Sequence, residues 1–416
     1  MNDAKLRKRN FLALMLEGTF FFTGLAFLDA NSIIPVFIYT YTQSLQLAGL
    51  ATTINMASSI LTQTLVGPYV KGIINMPSYV TRVMFLFRPL PLLMIPILFS
   101  HFNPLVTVSL FLIIYAMLWG SDGLIVVPWT DLFGRTVAPE KRGKLLGYQQ
   151  LLGGIGSLAA GFLIKSALEN PGFSNPVRYS IIFGSAAIAL IFSSFAMLFA
   201  KDLPRKVSVE KVNHVHYYRQ LPTYLRKNKD FAQMAIVRIF ASVTGMISPF
   251  LILFGKNLFH LNVSQMSTLI YVQIIGGLLG GIVWGNISSR MGNKFVIMIS
   301  QMVGLVLPIL ALGCLLLKGF SLPYFILWPI VLANGMNMGS WLGYLNYTMD
   351  VVNEEERTIY LLLNSLITFP LTFLSYFAGI LADHWGFVPL FMISGTTAII
   401  AICLSYRLKS PQQMLE

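Results

Sequence analysis

Residues 11–38 read FLALMLEGTFFFTGLAFLDANSIIPVFI, an almost unbroken apolar run that nevertheless holds two acids, Glu17 and Asp29. About 20 apolar residues cross a hydrocarbon core as a helix, so the run predicts a transmembrane span. With its two acids and no small-residue cleavage site, it is a mature span rather than a signal peptide. Similar runs recur to the end of the chain, at about 46–70, 79–100, 105–133, 144–168 and 178–200, then 231–255, 265–288, 295–317, 323–349, 358–382 and 387–407. The pattern predicts an all-α polytopic membrane protein with twelve transmembrane helices in two six-helix bundles. Residues 1–200 form the first bundle, 201–230 a cytoplasmic linker and 231–416 the second.

Composition agrees. The 416 residues are 56% apolar and 11% charged, against roughly 25% charged in soluble domains, which excludes a soluble enzyme. The net charge of +13 does not point to nucleic acid, because the bases lie between the apolar runs. With the amino terminus inside, 23 of the 29 Lys and Arg fall on inner segments and helix ends, which places both termini in the cytoplasm. The segment 201–230 holds eight basic and three acidic residues, with His214 and His216 on its solvated face. Cys314 and Cys403 both lie in apolar runs and read as buried free thiols rather than a disulfide.

The two halves repeat. Ser32-Ile33-Ile34-Pro35 aligns with Met246-Ile247-Ser248-Pro249 at an offset of 214, and Arg142 with Arg357 at 215. The second register sets Asp131 opposite Asn346 and Arg135 opposite Asp350. Parallel repeats are a known way of building a transporter. Two loops then carry a resemblance. Gly285-Asn-Ile-Ser-Ser289-Arg290-Met-Gly292-Asn-Lys294 is similar to the cytoplasmic loop signature of the major facilitator superfamily, with Ser289 where that signature has an acid. Pro139-Glu140-Lys141-Arg142-Gly143 resembles the family pattern after the fourth span. The resemblance covers nearly the whole chain and implies secondary transport, with spans one and seven lining a central cavity and span three at the periphery.

Ionisable groups at membrane depth are costly and mark function. Counting about 1.5 Å per residue sets Arg88 and Asp122 near the midplane, Asp29 outward of it, and Glu17 and Arg238 inward. Arg88 and Asp122 are expected to form a structural pair. Asp29 is the leading proton carrier, with Glu17 and Asp122 as further candidates, against the plainer reading that Asn31 or Ser32 satisfies it. Arg238 either attracts an anionic group or pairs with Glu17. Polar side chains suited to an amphipathic solute are Asn31, Asn55, Gln63, Arg238, Gln273, Asn334, Asn337, Trp341 and Tyr344. At the inner ends, Asp131 is expected to meet Arg142, and Asp350 to meet Arg290 or Arg357, as gate pairs or as ordinary interfacial charges. Gly276, Gly280 and their neighbours predict close helix packing.

No P-loop, zinc-binding HExxH, nucleophile elbow or dinucleotide fingerprint occurs, so neither a catalytic nor a metal site, nor any cofactor, is expected. The expected function is secondary transport by a monomer in a prokaryotic cell membrane, moving a small or amphipathic solute coupled to protons. For a chain with 31 Phe and 19 Met and no dense polar cage, the resemblance implies efflux of lipophilic compounds. Uptake or flipping of a sugar-like or glycolipid head group is the alternative, and a non-transporting receptor or scaffold the alternative from another class.

Overall fold

The computed structural model describes residues 3–66, 69, 73–137, 139–202, 223–316, 324–353 and 356–409. Every regular element among them is helical. The first half contains α1 (Asp3–Ala26), α2 (Ile33–Thr42), α3 (Leu45–Val66), α4 (Met76–Phe87), α5 (Met94–Phe99), α6 (Pro104–Thr136), α7 (Pro139–Glu169) and α8 (Asn175–Leu198). The second contains α9 (Lys229–Gly245), α10 (Leu251–Phe259), α11 (Val263–Met291), α12 (Asn293–Leu316), α13 (Trp328–Met338), α14 (Trp341–Val351), α15 (Arg357–Leu371), α16 (Leu374–Trp385) and α17 (Phe387–Ser405).

Among the described residues, nine helical stretches are long and apolar enough to cross a membrane. The other three expected spans are α1–α2, α3 and α13–α14, which carry polar groups or a helix break. Several helices start where an Asn can accept a hydrogen bond from an otherwise unpaired first-turn N–H. Asn75 accepts from Ser78, Asn103 from Leu105 and Asn228 from Phe231. Asn262 and Gln265 cap α11 reciprocally, at 2.9 and 3.0 Å, as a capping box does. Gly292 ends α11 at φ +97°, donating to the Ile287 and Ser288 carbonyls. A Cβ is disfavoured at that φ, so the loop needs a glycine there.

The repeat shows in the helix breaks. α1 and α2 are interrupted over 27–32, and α9 and α10 over 246–250, the two places aligned by Ser32–Pro35 and Met246–Pro249. Each lies beside a proline that cannot donate to the helical ladder.

The chain divides into two compact units, Met1–Thr42 with Ile54–Val212, and Gln43–Thr53 with Asn213–Glu416. In the first, α1 packs on α7 and α8. Phe37, Phe111, Tyr179 and Phe183 form an edge-packed aromatic core. In the second, the Asp383 carboxylate accepts from the Leu45 and Gln46 N–H groups at 3.0 and 2.9 Å, an acid at a positive helix end.

The glycines at helix crossings confirm close packing. A Cβ at Gly276 would stand 2.2 Å from the Leu332 carbonyl, one at Gly280 2.3 Å from that of Met336, and one at Gly335 2.1 Å from that of Gln273. The α11–α13 backbones therefore touch, as small-residue interfaces allow. Gly281 and Gly285 meet nothing within 4 Å and are not part of this contact. The cysteine expectation is half right: both thiols are free and Cys314 is buried, but Cys403 is exposed, on an α17 flank where Met392 and Ile399 are exposed too.

Candidate functional site

The most buried charges of the first unit are Glu17 on α1 and Arg88 just after α4, at 4% and 3% exposure. Arg88 Nη2 lies 3.0 Å from Glu17 Oε1. The Trp129 indole N–H donates to Glu17 Oε2 at 3.0 Å, Ser193 Oγ bridges the Arg88 guanidinium and the Glu17 main-chain carbonyl, and the guanidinium lies over the Phe21 ring. Both carboxylate oxygens and both terminal nitrogens of the guanidinium are thus engaged, as a buried ion pair requires if it is to be tolerated.

This corrects the expected Arg88–Asp122 pair. Asp122 instead shares a small cavity of about 20 Å³ with Arg88, Phe21 and Trp119. It also removes Glu17 as a partner for Arg238. The structure therefore gathers two carboxylates and one guanidinium into a single buried cluster. Trp129 and Ser193 were not among the expected residues, and standing beside Thr130-Asp131 and Ser194 they carry no distinctive mark in the sequence.

Asp29 takes the plainer of its two readings. Its Oδ1 accepts from the Asn31 main-chain N–H at 3.1 Å and from Ser32 Oγ at 2.6 Å, closing the turn between α1 and α2. Asn31 enters through its backbone alone. Asn55 donates to Tyr115 Oη at 3.4 Å, and that hydroxyl donates to the Leu28 carbonyl at 3.0 Å. Gln63 lies where α3 meets α6, its main-chain N 2.9 Å from a Cβ built at Gly123. The polar residues of the first unit mainly hold helices together.

The second unit differs. A cavity of about 200 Å³ opens around the break between α9 and α10 and the one between α13 and α14. Of the expected solute residues, Arg238, Asn334, Asn337, Trp341 and Tyr344 line it, and Arg238 is the charged residue of the lining. Asn334 accepts from Ser248 Oγ at 2.8 Å and donates to Gln273 Oε1 at 3.4 Å, so Gln273 braces the cavity from behind. Gln301 Nε2 donates to Tyr344 Oη at 3.0 Å, while the buried Asn337 Oδ1 has no hydrogen-bond partner. Ser248 and Gln301 were not expected here, although Ser300-Gln301 is a polar pair within an apolar run.

Arg238 lies over the Tyr344 ring, 5.2 Å from its centroid. Among the described residues no carboxylate comes within salt-bridge distance of it. The described carboxylates of its unit are engaged elsewhere: Asp230 with Lys409, Glu356 with Lys227, Asp350 with Asn293 and Asp383 with the start of α3. A cation–π contact offsets roughly 0.5–2 kcal/mol, less than the several kcal/mol lost by a desolvated ion.

The inner-end pairs also need correction. Asp131 meets Arg135 at 2.9 Å, and Arg135 reaches Asp202 at 2.5 Å. Arg142 instead donates to the Gly134 and Val137 carbonyls. Residues four apart share a helix face, and the last carbonyls of α6 attract a donor. Asp350 accepts from Asn293 Nδ2 at 2.6 Å rather than meeting Arg290. The Arg357 and Glu140 side chains lie outside the described residues, as do 203–222 of the expected linker, His214 and His216 included.

A family model described as Major Facilitator Superfamily matches residues 19–371 and 234–415. Among solved structures, the chain is similar to a crystal structure of a D-xylose-proton symporter, with a TM-score of 0.74 and 14% identity over 98% of this chain and 99% of that one. It is similar to a bacterial homologue of the human lysosomal transporter Spinster, with a TM-score of 0.65 and 14% identity over 99% and 98%. It is also similar to a mutant form of the nucleoside transporter NupG, with a TM-score of 0.66 and 13% identity over 99% and 100%. No curated protein sequence matches. At these identities the structural likeness speaks for the fold.

Proposed function

Because the chain belongs to the major facilitator superfamily, we propose that it is a secondary active transporter moving a small amphipathic solute across the cytoplasmic membrane by alternating access, driven by protons. The observation that carries this reading is the polar cavity around Arg238, built at the helix breaks of the second unit, where transporters of this architecture expose backbone and side chains to a solute. Its amides and aromatic faces suit a solute with one polar end and one flat apolar side.

Coupling is assigned to the cluster in the first unit. Glu17 and Arg88 neutralise one another, and Asp122 is the carboxylate in excess. Membrane burial disfavours a net charge, so the cluster is neutral when it holds one proton and opens a proton site when it gives that proton up. Asp122 takes this role in preference to Asp29, whose carboxylate closes a turn. No step of covalent chemistry is assigned, and the protein acts as a monomer with both termini in the cytoplasm.

Export is the direction suggested by the Phe- and Met-rich composition. A second reading, uptake or flipping of a sugar-like head group, is favoured by Asn334 and Asn337 standing beside Trp341. The test is a screen of solutes by thermal stabilisation of the purified protein, followed by flux in proteoliposomes of known orientation under an imposed pH gradient. Solute movement that follows the gradient and is lost in Asp122→Asn supports the reading. Flux indifferent to the gradient overturns the proton coupling.

A further inference from the structure

The cavity of the second unit has a charge but no counter-charge. Arg238 is its charged lining residue, and the described carboxylates of the unit are all held by other groups, from Asp230 with Lys409 to Asp383 with α3. The only close partner of the guanidinium among the described residues is the face of Tyr344, which leaves its N–H groups to the cavity. A guanidinium presents those donors as a rigid fork that matches a carboxylate or a phosphate.

The neighbours favour the same class of ligand. Tyr344 accepts from Gln301, so its own O–H proton remains for another acceptor. Asn337 has a buried amide oxygen without a partner, and an amide so placed can turn its NH₂ toward a bound acceptor. Trp341 is 54% exposed at the edge of this group, offering a flat apolar face to the rest of the molecule. The cavity, at about 200 Å³, is smaller than the roughly 300–1,000 Å³ usual for drug-sized ligands, so it admits a compact polar end rather than a whole lipophilic compound.

We propose that Arg238 seats a carboxylate or phosphate of the transported solute, with Tyr344 and Asn337 as further donors and Trp341 against its apolar part, so that the substrate class is the small amphipathic organic anions. This rests on the reading of the cavity as the solute site.

The experiment uses the purified full-length protein with Ser340→Cys in the cavity lining and the two native cysteines replaced by Ser. Two thiol reagents of similar size are compared, a methanethiosulfonate bearing a sulfonate and one bearing a quaternary ammonium, with benzoate, phenyl phosphate and neutral benzyl alcohol as competitors at fixed ionic strength. With each rate taken relative to that of the same reagent with a free thiol in solution, the sulfonate reagent is expected to react about tenfold faster, a ratio that a fixed cation within a few ångströms sustains in a partly dry site. Arg238→Gln abolishes the preference and Arg238→Lys keeps it. At least one of the two anions protects the introduced thiol and benzyl alcohol does not, and whichever anion protects tells carboxylate from phosphate. Equal reaction of both reagents in the arginine form, or no protection by either anion, overturns the proposal; those arms need no variant of Arg238. Reactivity in detergent is independent of flux, so a charge preference without any solute flux would sink the transport reading alone.

Discussion

Arg88 and Arg238 are both arginines at membrane depth, yet one is enclosed by partners and the other faces a cavity. Around Arg88 stand Glu17, Ser193 and the Phe21 ring, and the residue is 3% exposed. Around Arg238 stand Tyr344 and open space lined by amides. A buried charge needs a counter-charge, water or a ligand. Arg88 has its counter-charge built into the fold, whereas Arg238 has been left without one. On the proposal made above, the first arrangement is costly to break and the second serves binding, so the same residue type would answer two different needs in the two units.

The largest consequence falls on the ion pair. Glu17→Gln strips Arg88 of its carboxylate, and breaking a buried pair in this way costs about 3–5 kcal/mol. Purified Glu17→Gln should show a markedly lower thermal midpoint and poor yield, and a midpoint equal to that of the parent would mean that the pair is not structural. Next comes the α11–α13 contact. Gly335→Ala places a methyl group against the Gln273 carbonyl and should cost about 1–3 kcal/mol by overpacking. Gly277→Ala, whose Cβ meets only the Gly335 carbonyl at 3.8 Å, should be tolerated in the same assay.

Asp122→Asn should change function more than stability, because Asp122 is outside the Glu17–Arg88 contact. Solute binding and exchange without a gradient should persist while pH-driven accumulation is lost, as read by flux in proteoliposomes. The smallest effect belongs to the exposed pair of Lys227 and Glu356, 2.5 Å apart. Glu356 pushes the Lys227 ammonium above its ordinary range. Whatever the pair contributes is therefore fully present below that range and lost only as pH rises above it. Lys227→Met should leave the thermal midpoint at neutral pH unchanged within error.

Much of this contrast was legible in the sequence. Apolar run length marked the spans, and the Ser32–Pro35 and Met246–Pro249 matches gave the repeat register, though not the helix breaks that lie there. The candidate solute residues of span ten were picked out by the mixture of amides and aromatic rings, and five of the expected residues share one cavity. Partner choice was not legible. Counting rise along 11–38 treats the run as one helix, whereas α1 stops at Ala26 and α2 starts only at Ile33. Depth also says nothing about the direction in which a side chain leaves its helix. Asp131 found Arg135 one turn away on its own helix rather than Arg142, and Asp29 found its own turn. Local partners cost less chain ordering than distant ones, and a list of depths does not weigh that.

The central claim is that Arg88 belongs to the fold and Arg238 to the solute. The direct test is the thermal midpoint of purified Arg88→Gln and Arg238→Gln, measured side by side without added solute. The account predicts a large loss for Arg88→Gln, about 3–5 kcal/mol from the orphaned Glu17, and a change within about 1 kcal/mol for Arg238→Gln, which orphans no carboxylate. Equal losses, or a larger one at Arg238, would contradict it.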